Sequence, residues 1–238
     1  MGAFEYTVED TVAIITMNSD ENRFNPTFLK GFLKVLDQVE RENRARTVVI
    51  RSAHEKIFSN GIDLEWLVPV IQKNDVKTAK KFFYQLNELF KRLLTYPMVT
   101  IAAINGHAFA GGAIMSCAFD FRFMRSDRGF FCFPEVDLGI PFLPGMNALL
   151  KKAIPYHKVE EMQYTGSRLT AHDCQEHHII LKASPYNELM DDVLEFAHSL
   201  KKDRKIIREM KLRLNGEIVR IMEVEDAPYI DSGQYNIA

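Results

Sequence analysis

The chain lacks any segment long and apolar enough to span a bilayer, and its start, Met1-Gly2-Ala3-Phe4-Glu5, has neither the basic nor the apolar stretch of a secretory signal. It also lacks an excess of one charge: 30 lysines and arginines face 32 aspartates and glutamates, a formal charge of −2, with no basic block. Composition therefore gives no support for nucleic-acid or membrane-surface partners. Cysteine is scarce. Cys117, Cys132 and Cys174 cannot all pair with one another and lack metal-type spacing, which fits reduced thiols in a core and a cytosol-like compartment. The last residues, Asn236-Ile237-Ala238, are not a peroxisomal tripeptide, so the expected location is cytoplasmic. No Gly-x-Gly-x-x-Gly, no P-loop ending in Lys-Ser/Thr and no Gly-x-Ser-x-Gly occurs, which argues against nucleotide cofactors and serine hydrolysis. His172, His177 and His178 have no carboxylate or cysteine at ligand spacing; a surface helix explains them, and no metal is assigned.

What is present is a single core's worth of apolar residues. At 238 residues and 47% hydrophobic, the chain can bury one substantial core without needing a second. Phe4-Val8 and Val12-Met17 read as strands around a turn at Glu9-Asp10. Asn25-Pro26 reads as an N-cap with proline at the first helical position, followed by Leu29, Phe32, Leu33, Leu36 and Val39 on one helical face. A strand over Thr47-Ser52 precedes helical stretches near Leu64-Ile71 and Thr78-Leu94, which Pro97 ends. A further strand, Val99-Ile104, is followed by a glycine loop and the apolar segment Ala113-Phe119; Phe121-Met124 reads as a strand and Gly129-Phe133 as an irregular apolar one. From Asn147 onward strand signals nearly vanish, and helices are predicted near Asn147-Ala153, Lys158-Thr165, Ala171-Glu176, Asn187-Leu200 and Asp203-Glu223, with Thr170-x-x-Asp173 as a cap. The tail Asp226-Gly233 has poor helical character. The predicted class is α/β, with a core over 1–180 and a helical C-terminal region over 181–238.

Two loops carry the chemistry. Phe58-Ser59-Asn60-Gly61-Ile62-Asp63 and Asn105-Gly106-His107-Ala108-Phe109-Ala110-Gly111-Gly112 each follow a strand-like run and lead into a helical one, so backbone N–H groups at neighbouring strand ends could converge on one point. Two converging donors make an oxyanion hole, where losing one typically costs roughly 3 kcal/mol of transition-state stabilisation. An isolated Gly-Gly pair has a simpler use, close helix-strand packing, and the companion loop is what favours chemistry. Downstream lies Phe133-Pro134-Glu135-Val136-Asp137-Leu138-Gly139. Apolar neighbours should disfavour the charge on Glu135 and raise its pKa toward a value suited to proton exchange. A solvated turn carboxylate is the plainer alternative. Strand alternation would put Asp137 on the same face as a minor alternative base. Asp63 reads as a loop-fixing residue, and His107 as a packing histidine.

The two loops together with Phe133-Pro134-Glu135 resemble the crotonase superfamily of enoyl-CoA hydratases and isomerases, over about Phe4 to Ile180 and most specifically over Tyr96 to Gly145. The resemblance implies a ββα-repeat core, a helical region used for trimer contacts in a homotrimer or hexamer, and an acyl-CoA substrate, with CoA part of the substrate and no separate cofactor. It also implies that Ile62 and Gly111 donate the two N–H groups and that Glu135 is the catalytic carboxylate. Hydratases of the family place a second glutamate where this chain has Ile114, and an apolar side chain cannot orient water. A one-base shuttle needs no second carboxylate. The chain thus looks like the single-glutamate Δ3,Δ2-enoyl-CoA isomerases, in which one acid moves a double bond from the 3 to the 2 position, a step in fatty-acid oxidation. Asn60, Gly61, Trp66, Gly112 and Ile114 are candidate substrate contacts. Arg23 is a candidate for the CoA phosphates ahead of Lys56 and Arg92, and Trp66, Ile71, Phe82 and Phe142 are candidates for the acyl pocket. Asp120 and Asp127 read as turn or strand-end residues. A hydratase-like lyase and a non-catalytic acyl-CoA-binding subunit stand as alternatives.

Overall fold

A computed structural model describes residues 2–233 and 235 of the chain; the terminal residues 236–238, used above to read localisation, lie outside it. The chain repeats a unit of two strands followed by helix. β1 (Phe4–Glu9) and β2 (Val12–Met17) form a hairpin whose turn holds Asp10 at φ 52°, and α1 (Pro26–Glu40) follows. The Asn25 side chain accepts from Phe28 N at 3.0 Å, and Pro26 has no N–H to leave unpaired, so the sequence starts this helix by itself. β3 (Thr47–Ser52) and β4 (Ile57–Ser59) precede α2 (Leu64–Gln72) and α3 (Val76–Leu94). β5 (Val99–Ile104) and β6 (His107–Phe109) precede α4 (Gly111–Ala118). β7 (Phe121–Arg125) and β8 (Phe131–Cys132) precede a 3-10 turn at Pro134–Val136 and α5 (Pro144–Ala153).

Among the described residues the strands sort into two sheets. The larger has the order β1-β2-β3-β5-β7 followed by β10 (Lys182–Ser184), parallel from β2 onward. The smaller has the order β4-β6-β8 followed by β9 (Arg168–Leu169), with β4, β6 and β8 parallel. The first strand of each later repeat thus enters the large sheet and the second enters the small one. Both faces of the large sheet are buried: Ala13, Ile15, Val48, Ile50, Ala102 and Ile104 face one core, and Val12, Ile14, Val49, Val99 and Ile101 face the other. That is why these strands read as continuous apolar runs rather than alternating ones.

After α5 come α6 (Tyr156–Thr165), β9 (Arg168–Leu169), α7 (Ala171–Glu176), β10 (Lys182–Ser184), α8 (Tyr186–Ser199) and α9 (Arg204–Arg220). β9 and β10 depart from the expectation of a region dominated by helices. At two and three residues they are too short to show a period, and they pair because β8 and β7 offer them an edge. The core runs through position 180/181: β10 pairs with β7, and α8 covers the back of the large sheet with Leu189, Val193 and Ala197. Two buried polar side chains dock α9. Lys211 Nζ donates to Met98 O at 2.9 Å and pairs with Asp120 at 2.6 Å, and Asn215 Nδ2 donates to Leu94 O at 2.9 Å. The tail is helical despite its composition, with a π turn at Ile221–Glu225 and α10 (Ala227–Ser232). Burial of Met222, Asp226 and Ile230 supplies what local propensity does not.

Candidate active site

The candidate residues follow the C-terminal ends of the three parallel strands of the small sheet. Asn60-Gly61-Ile62 leaves β4, Ala110-Gly111 leaves β6, and Phe133-Pro134-Glu135 leaves β8. Because the strands are neighbours and point the same way, their exits open on one edge, the usual place for a ligand in a parallel sheet. A cavity of about 410 Å³ lies there, lined by Asn60, Ile62, Gly111, Ile114 and Glu135 together with an apolar wall that includes Phe83, Phe142, Leu143 and Met146. A shallow depression between β7, β10 and α8 is lined in part by the Lys182–Asp192 ion pair and holds none of the candidate residues.

The first loop is pinned from beneath. Asn22, fully buried, donates through Nδ2 to Phe58 O at 2.9 Å and to Ser52 Oγ at 2.8 Å, while Ser59 Oγ donates to Asn22 O at 2.8 Å and accepts from Gly61 N at 3.1 Å. Phe24 bridges the loop on either side of Ile62, donating to Gly61 O at 2.7 Å and accepting from Asp63 N at 3.0 Å. These bonds consume the neighbours' backbone groups and leave Ile62 N–H without an acceptor among the described residues. Asp63 fixes the exit into α2, accepting from Trp66 N at 3.2 Å and from Asn25 Nδ2 at 3.1 Å.

The second loop turns through Ala110 at φ 51°, ψ −128°, a conformation that costs a non-glycine residue about 1–3 kcal/mol. The turn puts Gly111 N–H at the first position of α4, where no intrahelical acceptor exists. The two loops then touch through their glycines. A Cβ on Gly61, whose φ is +73°, would lie 2.4 Å from Gly111 N, and one on Gly112 would lie 2.3 Å from Ser59 O. A Cβ on Gly111 would lie 3.3 Å from Ile62 N, so the two unpaired donors sit side by side. Close packing and donor convergence are thus the same feature. The dipole of α4 adds partial positive charge at this end. Its other end is neutralised: Arg122 donates to Ser116 O and Phe119 O at 3.3 and 2.9 Å, and Lys152 to Cys117 O and Phe119 O at 3.3 and 2.9 Å.

Glu135 sits on the 3-10 turn, 7% exposed, and its Oε2 is buried without a hydrogen-bond partner among the described residues. Burial pushes its carboxyl up to about 7, against a small opposing pull from its own backbone N–H. Ile114, one helical turn after Gly111, faces the same cavity and is 2% exposed. Glu135 is the one acidic residue among the described residues of the lining. Asp137 is exposed and off the lining, so the same-face reading of it is corrected: the backbone here is a 3-10 turn, and strand alternation does not apply.

Other candidates are placed elsewhere. Arg23 lies off the lining, its guanidinium held by Glu21 at 2.6 Å and Glu65 at 2.8 Å. Arg92 is likewise held by Asp37 and Glu40. Gly61 and Gly112 lie beneath the cavity as spacers. Trp66 packs on Phe82 with ring centroids 5.1 Å apart, and neither lines the cavity, nor does Ile71. His107 accepts from Phe130 N at 3.3 Å and packs between Phe109 and Phe130; burial lowers its pKa. Asp120 and Asp127 are tied to Lys211 and Arg125. Phe83, Tyr229, Ile230 and Tyr235 also line the cavity and carry no motif; they are recruited by tertiary packing alone.

The sequence profile of the enoyl-CoA hydratase/isomerase family matches residues 7–227. The chain belongs to that family, within the crotonase superfamily. It is 37% identical over 145 residues to enoyl-CoA delta isomerase 3 of Arabidopsis thaliana, an alignment covering 59% of each protein. The chain thus spans about three fifths of that relative's length. It is 27% identical over 194 residues to a short-chain-enoyl-CoA hydratase of Clostridium acetobutylicum, covering 81% of this chain and 72% of the other. Its fold matches the crystal structure of an enoyl-CoA hydratase/isomerase family protein from Pseudomonas syringae with a TM-score of 0.87 at 21% identity, covering 98% of each chain.

Proposed function

We propose that this protein is a Δ3,Δ2-enoyl-CoA isomerase, moving the double bond of a 3-enoyl-CoA to the trans-2 position as in fatty-acid oxidation. The observation that carries the reading is one buried carboxyl, Oε2 unpaired, sharing a cavity with two unpaired N–H groups and an isoleucine. Glu135 takes the proton from C2; the electron pair delocalises onto the thioester oxygen, which accepts from Ile62 and Gly111 N–H. The acid then returns the proton at C4, and the double bond is left between C2 and C3. A carboxyl near 7 both accepts and donates at neutral pH. No electrons or atoms beyond the substrate's own are required, so CoA enters only as part of the substrate. The 37% identity to a plant enoyl-CoA delta isomerase supports the reaction class.

Incubation with 3-enoyl-CoA and 2-enoyl-CoA tests it. The isomerase gives double-bond migration that Glu135→Gln abolishes while thioester binding survives. Formation of 3-hydroxyacyl-CoA would instead assign a hydratase-like lyase, and binding without turnover a non-catalytic subunit. A homotrimer or hexamer is part of the same proposal. Ile206, Met210 and Leu214, four residues apart on α9, are 56%, 62% and 80% exposed, an apolar stripe suited to a second copy. Light scattering of the purified protein reads the assembly. A reducing, cytosol-like compartment is supported by the three buried, unpaired cysteines.

A further inference from the structure

Part of the cavity wall is made by the chain's last described segment, Tyr229, Ile230 and Tyr235; surface ion pairs Lys80–Asp231 and Lys91–Glu223 tie that segment to α3, and one buried carboxylate ties it to both α3 and α5. Asp226, fully buried between the π turn and α10, accepts from Gly145 N at 2.7 Å through Oδ1 and from Asn87 Nδ2 at 2.8 Å through Oδ2. No lysine or arginine pairs with it among the described residues. Asn87 also donates to Met222 O at 3.3 Å, so a single amide holds two points of the tail.

Each partner stands next to a residue that lines the cavity. Asn87 lies one turn of α3 beyond Phe83, Gly145 lies between Leu143 and Met146 at the start of α5, and Asp226 precedes Tyr229 and Ile230 on α10. The approach is tight enough to demand glycine: a Cβ at Gly145 would lie 2.6 Å from Asp226 Oδ2 and 2.5 Å from Met222 Cγ. Tyr235 closes the arrangement, stacking on Phe83 at 4.9 Å and donating to Ile230 O at 2.9 Å.

We propose that Asp226 is a positioning residue that clamps the C-terminal segment onto α3 and α5 and thereby sets how long an acyl chain the cavity accepts. The inference rests on the acyl-CoA reading of the site and adds what limits its substrate. The carboxylate lies away from the reacting atoms; it acts through Phe83, Met146 and Ile230, which it holds in register.

Saturated acyl-CoA thioesters test it, because they bind without reacting. In the wild type, calorimetric affinity should rise about fourfold per added methylene, the value of burying one such group, until the cavity is full and then stop rising. In Asp226→Ala and in Gly145→Ala the rise per methylene should flatten, so that the longest accommodated chain loses about tenfold or more and the shortest about twofold or less. Asn87→Ala removes one of the two bonds and should shift the profile the same way by less, which keeps the proposal readable if the stronger variants fail to fold. Asp226→Asn, which keeps an acceptor for Gly145 N–H, should recover most of the slope. A uniform loss at every length, or an unchanged profile, overturns the clamp alone. Failure of the wild type to bind any acyl-CoA overturns the clamp and the acyl-CoA reading together.

Discussion

In the large sheet β1, β2, β3 and β5 run six residues, β7 five and the edge strand β10 three, with both faces largely buried over β2, β3, β5 and β7, whereas β4, β6, β8 and β9 of the small sheet run three, three, two and two. Both draw on the same repeated unit. The long strands bury most of the apolar surface, and burial scales with area, so stability resides there. The short ones bury less area, yet each parallel one leads within two residues to one that faces the cavity, Asn60 after β4, Ala110 after β6 and Pro134 after β8. On the proposed function, stability and chemistry are thereby separated, and the segments leaving the small sheet can hold a positive-φ alanine and a carboxyl oxygen without a partner among the described residues because the large sheet supplies the stability to carry them.

That division can be broken at several points. The largest effect belongs to Glu135→Gln, expected to lower kcat for 3-enoyl-CoA isomerisation by about 10³-fold or more, while thermal unfolding shows a fold as stable as the wild type or more so at neutral pH. Next is Gly61→Ala, whose Cβ would meet Gly111 N at 2.4 Å and whose φ of +73° disfavours any side chain. Displacing that donor should cost about 10²-fold to 10³-fold in kcat with a smaller change in KM, read from steady-state kinetics. The contrasting change is Ile50→Ala in the fully buried face of β3, expected to cost about 2–5 kcal/mol in denaturant titration and to leave kcat per folded molecule unchanged. If Ile50→Ala lowered kcat as Gly61→Ala does, the separation would be wrong.

A pH series sharpens the same contrast. On the proposed mechanism Glu135 would act as base only when ionised, so kcat/KM should rise as pH passes through about 7. Stability runs the opposite way. The folded pKa is raised, so the folded state holds the proton more tightly than the unfolded chain. This contribution is fully present below the ordinary glutamate pKa and is lost as pH rises to about 7, by about 3 kcal/mol at most. Denaturation midpoints across that window should fall in the wild type and less in Glu135→Gln. The smallest effect is expected of Ala110→Gly, which relieves the φ of +51° and should stabilise the protein by about 1 kcal/mol with kcat within about twofold.

Local sequence determined a good deal. Asn25-Pro26 starts α1, Thr170 and Asp173 form the reciprocal cap of α7, and the apolar runs Val12–Met17 and Val99–Ile104 are strands buried on both sides, because cap chemistry and hydrophobic pattern act over a few residues. The glycines at 61, 111 and 112 and the carboxyl at 135 were legible too, since each stands in a short motif. What only the tertiary structure decided is where the pieces meet. β9, β10 and α10 form because an edge or a core was waiting for them, Arg23 turns to Glu21 and Glu65, and Asp137 points outward on a turn that pattern alone reads as strand. Phe83, Met146, Ile230 and Tyr235 come together from the middle and last thirds of the chain, and Asp226 joins them by bonds to residues 139 and 81 positions away. Contacts at such separations leave no periodic trace in sequence, because their stabilisation depends on packing that exists only once the whole chain has folded.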